Sequence, residues 1–254
     1  MDFSVCLEAL FRGRMTEGFD ALARLGFPYA EFWMWTNKDI KEIRKASLDS
    51  GVGISAICTS EFNLTDHEKR SAYVEGIRKS LETADMLNCN TLISQVGNDT
   101  GDERAAQHES IVEGLKLAAE VIKGTGVTLV IEPLNTRVNH KGYYLESSDE
   151  AFAIVDEVNS ENVKVLFDIY HQQITEGDIL AHMLPNLEKI GHIHTAGVPG
   201  RHELTDNELD YGFIFRKLKE AGCMSKIGLE YLPTFKTEAG LKLLKTQLID
   251  RYGL

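Results

Sequence analysis

Short apolar segments alternate with longer amphipathic ones from one end of the chain to the other. The short segments are rich in β-branched and aliphatic residues, as buried strands are, and "VTLVIEPLN" is a good example. The longer segments carry apolar residues at helical spacing, and "GFDALARLG" ends at Gly26, a residue type that commonly terminates helices. This alternation predicts about eight strand–helix units.

The predicted strands are "FSVCLEAL", "YAEFWMW", "GISAIC", "NTLISQVG", "VTLVIEPLN", "VKVLFD", "IGHIHTAG" and "KIGLEYLP". Strands joined by single helices must run parallel, with right-handed crossovers. Their apolar residues do not alternate with polar ones, which is typical of strands covered on both faces. Eight such units predict a single α/β barrel, the (β/α)8 TIM barrel. An open doubly wound sheet is the alternative, but no GxGxxG follows the first strand, so we expect no nucleotide cofactor.

The chain of 254 residues has the size of one such barrel and contains no linker-like stretch. We therefore expect one domain over residues 1–254. A net charge of −12 argues against nucleic acid and anionic membranes as partners. No apolar run approaches the ~20 residues of a membrane span, and "MDFSVCLEAL" lacks the layout of a signal peptide. The four scattered cysteines suggest reduced thiols, so the expected location is cytoplasmic.

Four consecutive predicted strands end on a carboxylate or an imidazole: Glu132, Asp168, His194 and Glu230. Their spacings are 168 − 132 = 36, 194 − 168 = 26 and 230 − 194 = 36, each about one strand–helix unit. Because working residues of a barrel lie at the carboxyl ends of its strands, these four strand-end residues are expected to meet at one rim.

Each strand-end residue has an ordinary structural alternative when it is taken alone. Glu132 and Glu230 could be solvated turn residues, Asp168 a helix cap, and His194 a core histidine bonded to a carbonyl. Together these alternatives are weak, because converging carboxylates repel one another unless something binds them. Three carboxylates and one imidazole suit Mn²⁺, Mg²⁺ or Co²⁺, whereas Zn²⁺ would favour more nitrogen or sulfur.

Two further residues are candidates for contact with a substrate. His171 follows Asp168 on the predicted loop, although a solvated residue at a helix start is the alternative. Arg201 lies in "VPGRHE" after the seventh strand and could hold an anionic or polyhydroxyl group, or simply pair with Glu203 or Asp206.

Weaker candidates lie on other loops at the same rim. Asn135, Arg137 and His140 follow the fifth strand, and three aromatic residues that could wall a pocket are Trp33, Trp35 and Phe62.

The segments "IEPLN", "FDIYHQQI", "GHIHTAGVPGRHE" and "IGLEY", in this order and spacing, resemble the hydroxypyruvate isomerase family. That family belongs to the wider xylose-isomerase-like barrels, which also include the ketose 3-epimerases. The resemblance covers essentially the whole chain. One departure is "GHIH", where close bacterial relatives often read "GHIQ" and the epimerases carry His, which leaves the preferred substrate and metal open.

The resemblance implies a divalent metal at the four strand-end residues, with Glu132 and Glu230 as the acid–base pair. It also implies that His171 and Arg201 contact the substrate. The implied reaction converts hydroxypyruvate into tartronate semialdehyde through an enediolate, by proton transfer between neighbouring carbons.

Other functions remain open because one barrel fold supports many reactions. A ketose 3-epimerase, or another sugar or sugar-acid isomerase, would use the same residues. Further alternatives are a dehydratase of an inositol-derived ketone, an apurinic-site nuclease and a metabolite-binding barrel without catalysis. The nuclease would need a larger His and carboxylate cluster and a basic surface. The expected partner is a small keto acid or sugar, and homo-oligomers are compatible with the sequence.

Overall fold

The computed structural model describes residues 1–254 and contains eight parallel strands that close into a barrel in chain order. The strands are β1 Phe3–Cys6, β2 Tyr29–Phe32, β3 Gly53–Cys58, β4 Thr91–Ser94, β5 Thr128–Ile131, β6 Val163–Asp168, β7 Ile190–Thr195 and β8 Lys226–Leu229. Each strand pairs with the next, and β8 pairs with β1. The prediction of a (β/α)8 barrel is therefore confirmed, and the open sheet is excluded.

Helices surround the barrel. They are α1 Leu7–Phe11, α2 Met15–Leu25, α3 Ile40–Ser50, α4 Arg70–Leu87, α5 Arg104–Ile122, α6 Ser148–Val158, α7 Ile169–Thr175, α8 Ile179–Met183, α9 Tyr211–Glu220 and α10 Thr237–Leu244. Short 3-10 turns cover His67–Lys69 and Leu184–Lys189, and a π-helical turn covers Lys245–Asp250. None of the helices has both the length and the apolar character that crossing a membrane requires.

The first predicted strand, "FSVCLEAL", is too long. The strand β1 stops at Cys6, and α1 begins at the next residue. Leu7, Leu10 and Phe11 are buried, and their spacing of three and four residues places them on one face of this helix. Strand and helix meet here without a polar or glycine boundary, so hydrophobicity alone could not locate the junction.

The interior of the barrel is apolar on one side only. A small cluster from β3 to β6 fills that side: Ala56, Ile93, Val130 and Leu166. Glu31 is paired with Ala56, and His192 is paired with Leu166, so both polar residues point into the same interior. Both are buried. A charged group deep in a barrel is costly unless its partners are provided, so this half of the interior is built around a polar network.

Gly228 makes room for that network. It lies opposite His194 in the β7–β8 pairing. A Cβ at this position would overlap a carboxylate oxygen of Glu31 and would approach Cδ2 of His194 to 2.6 Å.

We predict that Gly228→Ala lowers the free energy of unfolding by about 1–3 kcal/mol, because the added methyl group overpacks the interior. Urea unfolding measures the change. Gly240→Ala, within α10, is the control. The nearest atom to its added Cβ would be a ring carbon of Phe235 at 3.3 Å. A Gly228→Ala protein as stable as the wild type would contradict this packing.

Candidate active site

The strand pairing brings the strand-end residues together. Asp168 pairs with His194 across β6 and β7, and His194 pairs with Gly228, two residues before Glu230. Glu132 comes directly after β5. One ligand atom from each of the four residues lies within 4.8 Å of the others, and all four side chains are buried. The structure thus assembles the four residues at one rim, while their role as metal ligands stays a prediction.

Asp168 has two functions because its two oxygens face different ways. Oδ1 accepts hydrogen bonds from the backbone N–H groups of Tyr170 at 2.8 Å and His171 at 3.3 Å, and so caps α7. Oδ2 faces the cluster, 3.9 Å from the guanidinium of Arg201. Burial and the charge of Glu230 raise the pKa of Asp168, against the effect of Arg201. Asp168 is therefore a helix cap, as the structural alternative proposed, and its Oδ2 stays available to the site.

Glu230 is held on both oxygens. The indole N–H of Trp33 donates to Oε1, and the guanidinium of Arg201 donates to Oε2. Although burial would raise the pKa of Glu230, Arg201 and His194 hold it well below its ordinary range. Glu230 is therefore a stable carboxylate anion.

The segment after β7 fixes Arg201 in place. Arg201 adopts a left-handed backbone conformation at φ 61°, and its carbonyl accepts a hydrogen bond from the N–H of Leu232 at 2.7 Å. Glu203 accepts hydrogen bonds from the backbone N–H and hydroxyl of Thr234 at 2.8 and 2.9 Å. These contacts tie the segment to the chain after β8. Arg201 consequently pairs with Glu230, and the alternative of a surface pair with Glu203 or Asp206 does not hold.

His171 lies in α7, so its predicted position on a loop is wrong. The Asp168 cap starts the helix immediately after the strand. Nδ1 of His171 accepts hydrogen bonds from the backbone N–H of Asn135 at 3.2 Å and from its side-chain amide at 2.6 Å. The ring proton is therefore on Nε2, which lies 3.6 Å from Asp168. Burial lowers the pKa of His171 to about 3, so the ring is a neutral donor at the edge of the site.

Two residues that sequence reasoning missed lie beneath the cluster. Glu31 lies 3.0 Å from Nε2 of His194 and 2.9 Å from Nε2 of His192. Burial would lower the pKa of His194, but Glu230 and Glu31 raise it well above its ordinary value. A signal was present, because Glu31 interrupts an apolar strand and His192 precedes His194 by two residues, which places both imidazoles on one strand face.

A cavity of about 280 Å³ opens above the cluster. Its apolar lining consists of Trp33, Met34, Cys58, Phe62, Ile93 and Leu134. Its polar lining includes His140, His171 and Arg201, together with three of the strand-end residues. Among the weaker candidates, Asn135 donates hydrogen bonds to His171. Arg137 is exposed and donates to the carbonyl of Ile174, and Trp35 packs against the core.

The strand-end residues fit a divalent cation. Nδ1 of His194 is buried, 3.5 Å from Glu132 and 3.4 Å from Glu230, and forms no well-aligned hydrogen bond. Three carboxylates share this space with the guanidinium of Arg201 and the imidazole of His194, so negative charge is in excess even when both are cations. An oxygen-rich set with one imidazole nitrogen is the donor chemistry of Mn²⁺, Mg²⁺ or Co²⁺ sites.

A closed parallel barrel with a carboxylate–imidazole cluster under a small cavity at the carboxyl-end rim defines an enzyme of the TIM-barrel class. A family described as xylose isomerase-like TIM barrel matches residues 19–247. The chain belongs to this family.

Individual relatives agree with this assignment. The chain is 36% identical to the 2-oxo-tetronate isomerase of Cupriavidus necator over 94% of this chain and 92% of that protein. It is 27% identical to the hydroxypyruvate isomerase of Escherichia coli, over 88% and 90%. A crystal structure described as an AP endonuclease of family 2 from Brucella melitensis superposes with a TM-score of 0.92 at 29% identity, covering 97% and 99%. The two isomerases confirm the predicted resemblance and show that the chain is an aldose–ketose type isomerase.

We predict that Arg201→Gln destabilises the metal-free protein by about 3 kcal/mol, because it leaves the buried charge of Glu230 without its partner. Chelator-treated protein is compared by thermal unfolding, with Arg137→Gln as the exposed control, which should change stability by less than ~0.5 kcal/mol. Equal unfolding temperatures for both variants would show that Arg201 does not balance the carboxylates.

Proposed function

We propose that this protein is a divalent-metal-dependent isomerase of short 3-hydroxy-2-oxo acids. The reaction moves the carbonyl group from carbon 2 to carbon 3, as in the conversion of hydroxypyruvate to tartronate semialdehyde. The observation that carries the proposal is the buried convergence of the four strand-end residues under a cavity of about 280 Å³ that also contains Arg201 and His171. The volume suits a molecule of three or four carbons.

Glu132, Asp168, Glu230 and Nδ1 of His194 would hold the cation, with Mn²⁺, Mg²⁺ or Co²⁺ as the matching metals. A bound cation would supply positive charge beside the carbonyl and hydroxyl oxygens of the substrate, and so reduce the cost of removing the proton on carbon 3.

Arg201 and His171 are suited to orient the acid. The guanidinium of Arg201 borders the cavity and is 17% exposed, so N–H groups not used by Glu230 can bind the substrate carboxylate. His171 adds a neutral Nε2–H donor whose orientation is fixed by Asn135. Together these two residues would place carbons 2 and 3 between the two glutamates.

Glu132 is the better candidate to take the proton from carbon 3. Its carboxylate borders the cavity and makes no hydrogen bond to the protein, whereas Trp33 and Arg201 stabilise the anion of Glu230. A carboxylate held by strong donors is the weaker base. Glu230 would take up a proton from solvent and return it to carbon 2, Glu132 would release its proton to solvent, and a proton would pass between the two substrate oxygens.

A nuclease activity like that named for the Brucella structure has less support. The net charge of −12 and the carboxylate-lined cavity would repel a phosphodiester backbone.

A ketose 3-epimerase would use the same glutamates as the isomerase. Because the two enzymes share this proton chemistry, only substrate tests separate them.

The proposal extends to the setting of the enzyme. We place residues 1–254 in one domain and the protein in the cytoplasm, where its four free cysteines would stay reduced. Its expected partner is the small acid substrate.

We predict that Glu132→Gln and Glu230→Gln each reduce kcat by at least ~10³-fold, because an amide cannot exchange the proton. Steady-state assays with saturating Mn²⁺ measure this. Glu176→Gln is the matched control, since Glu176 binds Ser147 and Ser148 at the start of α6 and should be dispensable for turnover. Near-wild-type activity in either glutamine variant would exclude the acid–base pair.

The substrate is tested by incubation in D₂O with hydroxypyruvate, 2-oxo-tetronate and tagatose-type ketoses, followed by NMR. We expect deuterium at the carbon next to the carboxylate of the isomerised acids. Exhaustive chelation should stop the exchange, and Mn²⁺ should restore it. Exchange with ketoses alone would favour the epimerase, and undiminished exchange after chelation would exclude the metal.

A further inference from the structure

The carboxylate of Glu31 lies between two imidazoles inside the barrel. Oε1 is 3.0 Å from Nε2 of His194, and Oε2 is 2.9 Å from Nε2 of His192. The side chain of Glu31 is 2% exposed, and those of His192 and His194 are 1% and 3% exposed. Oε2 is hydrogen-bonded to His192 and also accepts a hydrogen bond from the hydroxyl of Ser55 at 3.1 Å.

The contact of Glu31 with His192 is a hydrogen bond, whereas the contact with His194 is a close polar contact in which the N–H of Nε2 is not well aligned with Oε1. Each imidazole faces a different oxygen of the carboxylate at hydrogen-bonding distance, and Ser55 takes a further lone pair. Glu31 is therefore an acceptor for surrounding donors.

The two nitrogens of His194 face different carboxylates. Nε2 lies 3.0 Å from Oε1 of Glu31, so Nδ1 is the nitrogen that faces the cluster, 3.5 Å from Glu132 and 3.4 Å from Glu230. A carboxylate that accepts the remote N–H of a ligating histidine fixes its tautomer and ring orientation, and makes the ligating nitrogen more basic.

We propose that Glu31 is a positioning residue that orients His194 for metal binding through Nδ1. The inference rests on the proposed function, because it assumes a cation at the strand-end residues. Packing does not explain Glu31, since β3 and β6 fill the same interior with Ala56 and Leu166. Moreover, the absence of a side chain at Gly228 is what admits the carboxylate.

The test is the affinity of purified, metal-stripped protein for Mn²⁺, measured by electron paramagnetic resonance of the free ion. Glu31→Gln should weaken binding by about 10–100-fold, as loss of such partners typically does. Ser55→Ala is the matched control, because it removes a hydrogen bond to the same carboxylate but leaves the contact between Glu31 and His194. The Mn²⁺ affinity of Ser55→Ala should stay within about twofold of that of the wild type. This change is much smaller than the one expected for Glu31→Gln.

A second measurement does not depend on the variant folding. In ¹⁵N-histidine NMR of the wild-type protein loaded with diamagnetic Zn²⁺, His194 should carry its proton on Nε2 and none on Nδ1. A proton on Nδ1 would overturn the proposal. So would unchanged Mn²⁺ affinity in Glu31→Gln, or two bound equivalents in the wild type with one lost in the variant.

The outcomes separate this inference from the proposed function. Normal Mn²⁺ binding by the wild type without deuterium exchange into any acid would contradict the isomerase and leave the role of Glu31 standing. A wild-type protein that takes up no Mn²⁺ would overturn both.

Discussion

Four carboxylates, those of Glu31, Glu132, Asp168 and Glu230, are buried within one end of the barrel, and their mutual repulsion is the constraint on which the site depends. Burying a charge costs several kcal/mol per ion even after the protein relaxes, and like charges add to that cost. The fold offsets it with donors to three of them: the His192 imidazole and the Ser55 hydroxyl for Glu31, backbone N–H groups for Asp168, and an indole and a guanidinium for Glu230. The remaining negative charge is what a divalent cation would neutralise.

The same constraint explains segments far from the cluster. The chain after β7 adopts a left-handed conformation at Arg201 and is tied to Leu232 and Thr234, so that the guanidinium reaches Glu230. The short helix α7 begins at Asp168, which uses one oxygen as a cap and keeps the other for the site. Local structure and the site are thus held by the same side chains.

The strand-end residues could be predicted because parallel strands joined by single helices all end at one rim, so a position at a strand end is also a position in space. The orientation of Arg201 could not, since it depends on a loop conformation and on contacts with a later strand. The bond between Trp33 and Glu230 spans 197 residues, and no local pattern indicates it. Glu31 lies within a strand, so the rule that working residues lie at strand ends does not select it.

Anomalous X-ray diffraction from crystals of the manganese-loaded protein shows whether the strand-end residues hold one divalent cation, as we propose. We expect a single manganese peak at roughly 2.0–2.3 Å from a carboxylate oxygen of Glu132, Asp168 and Glu230 and from Nδ1 of His194. The proposal is contradicted if manganese-loaded crystals show no manganese peak at this rim, or if the peak lies against other residues.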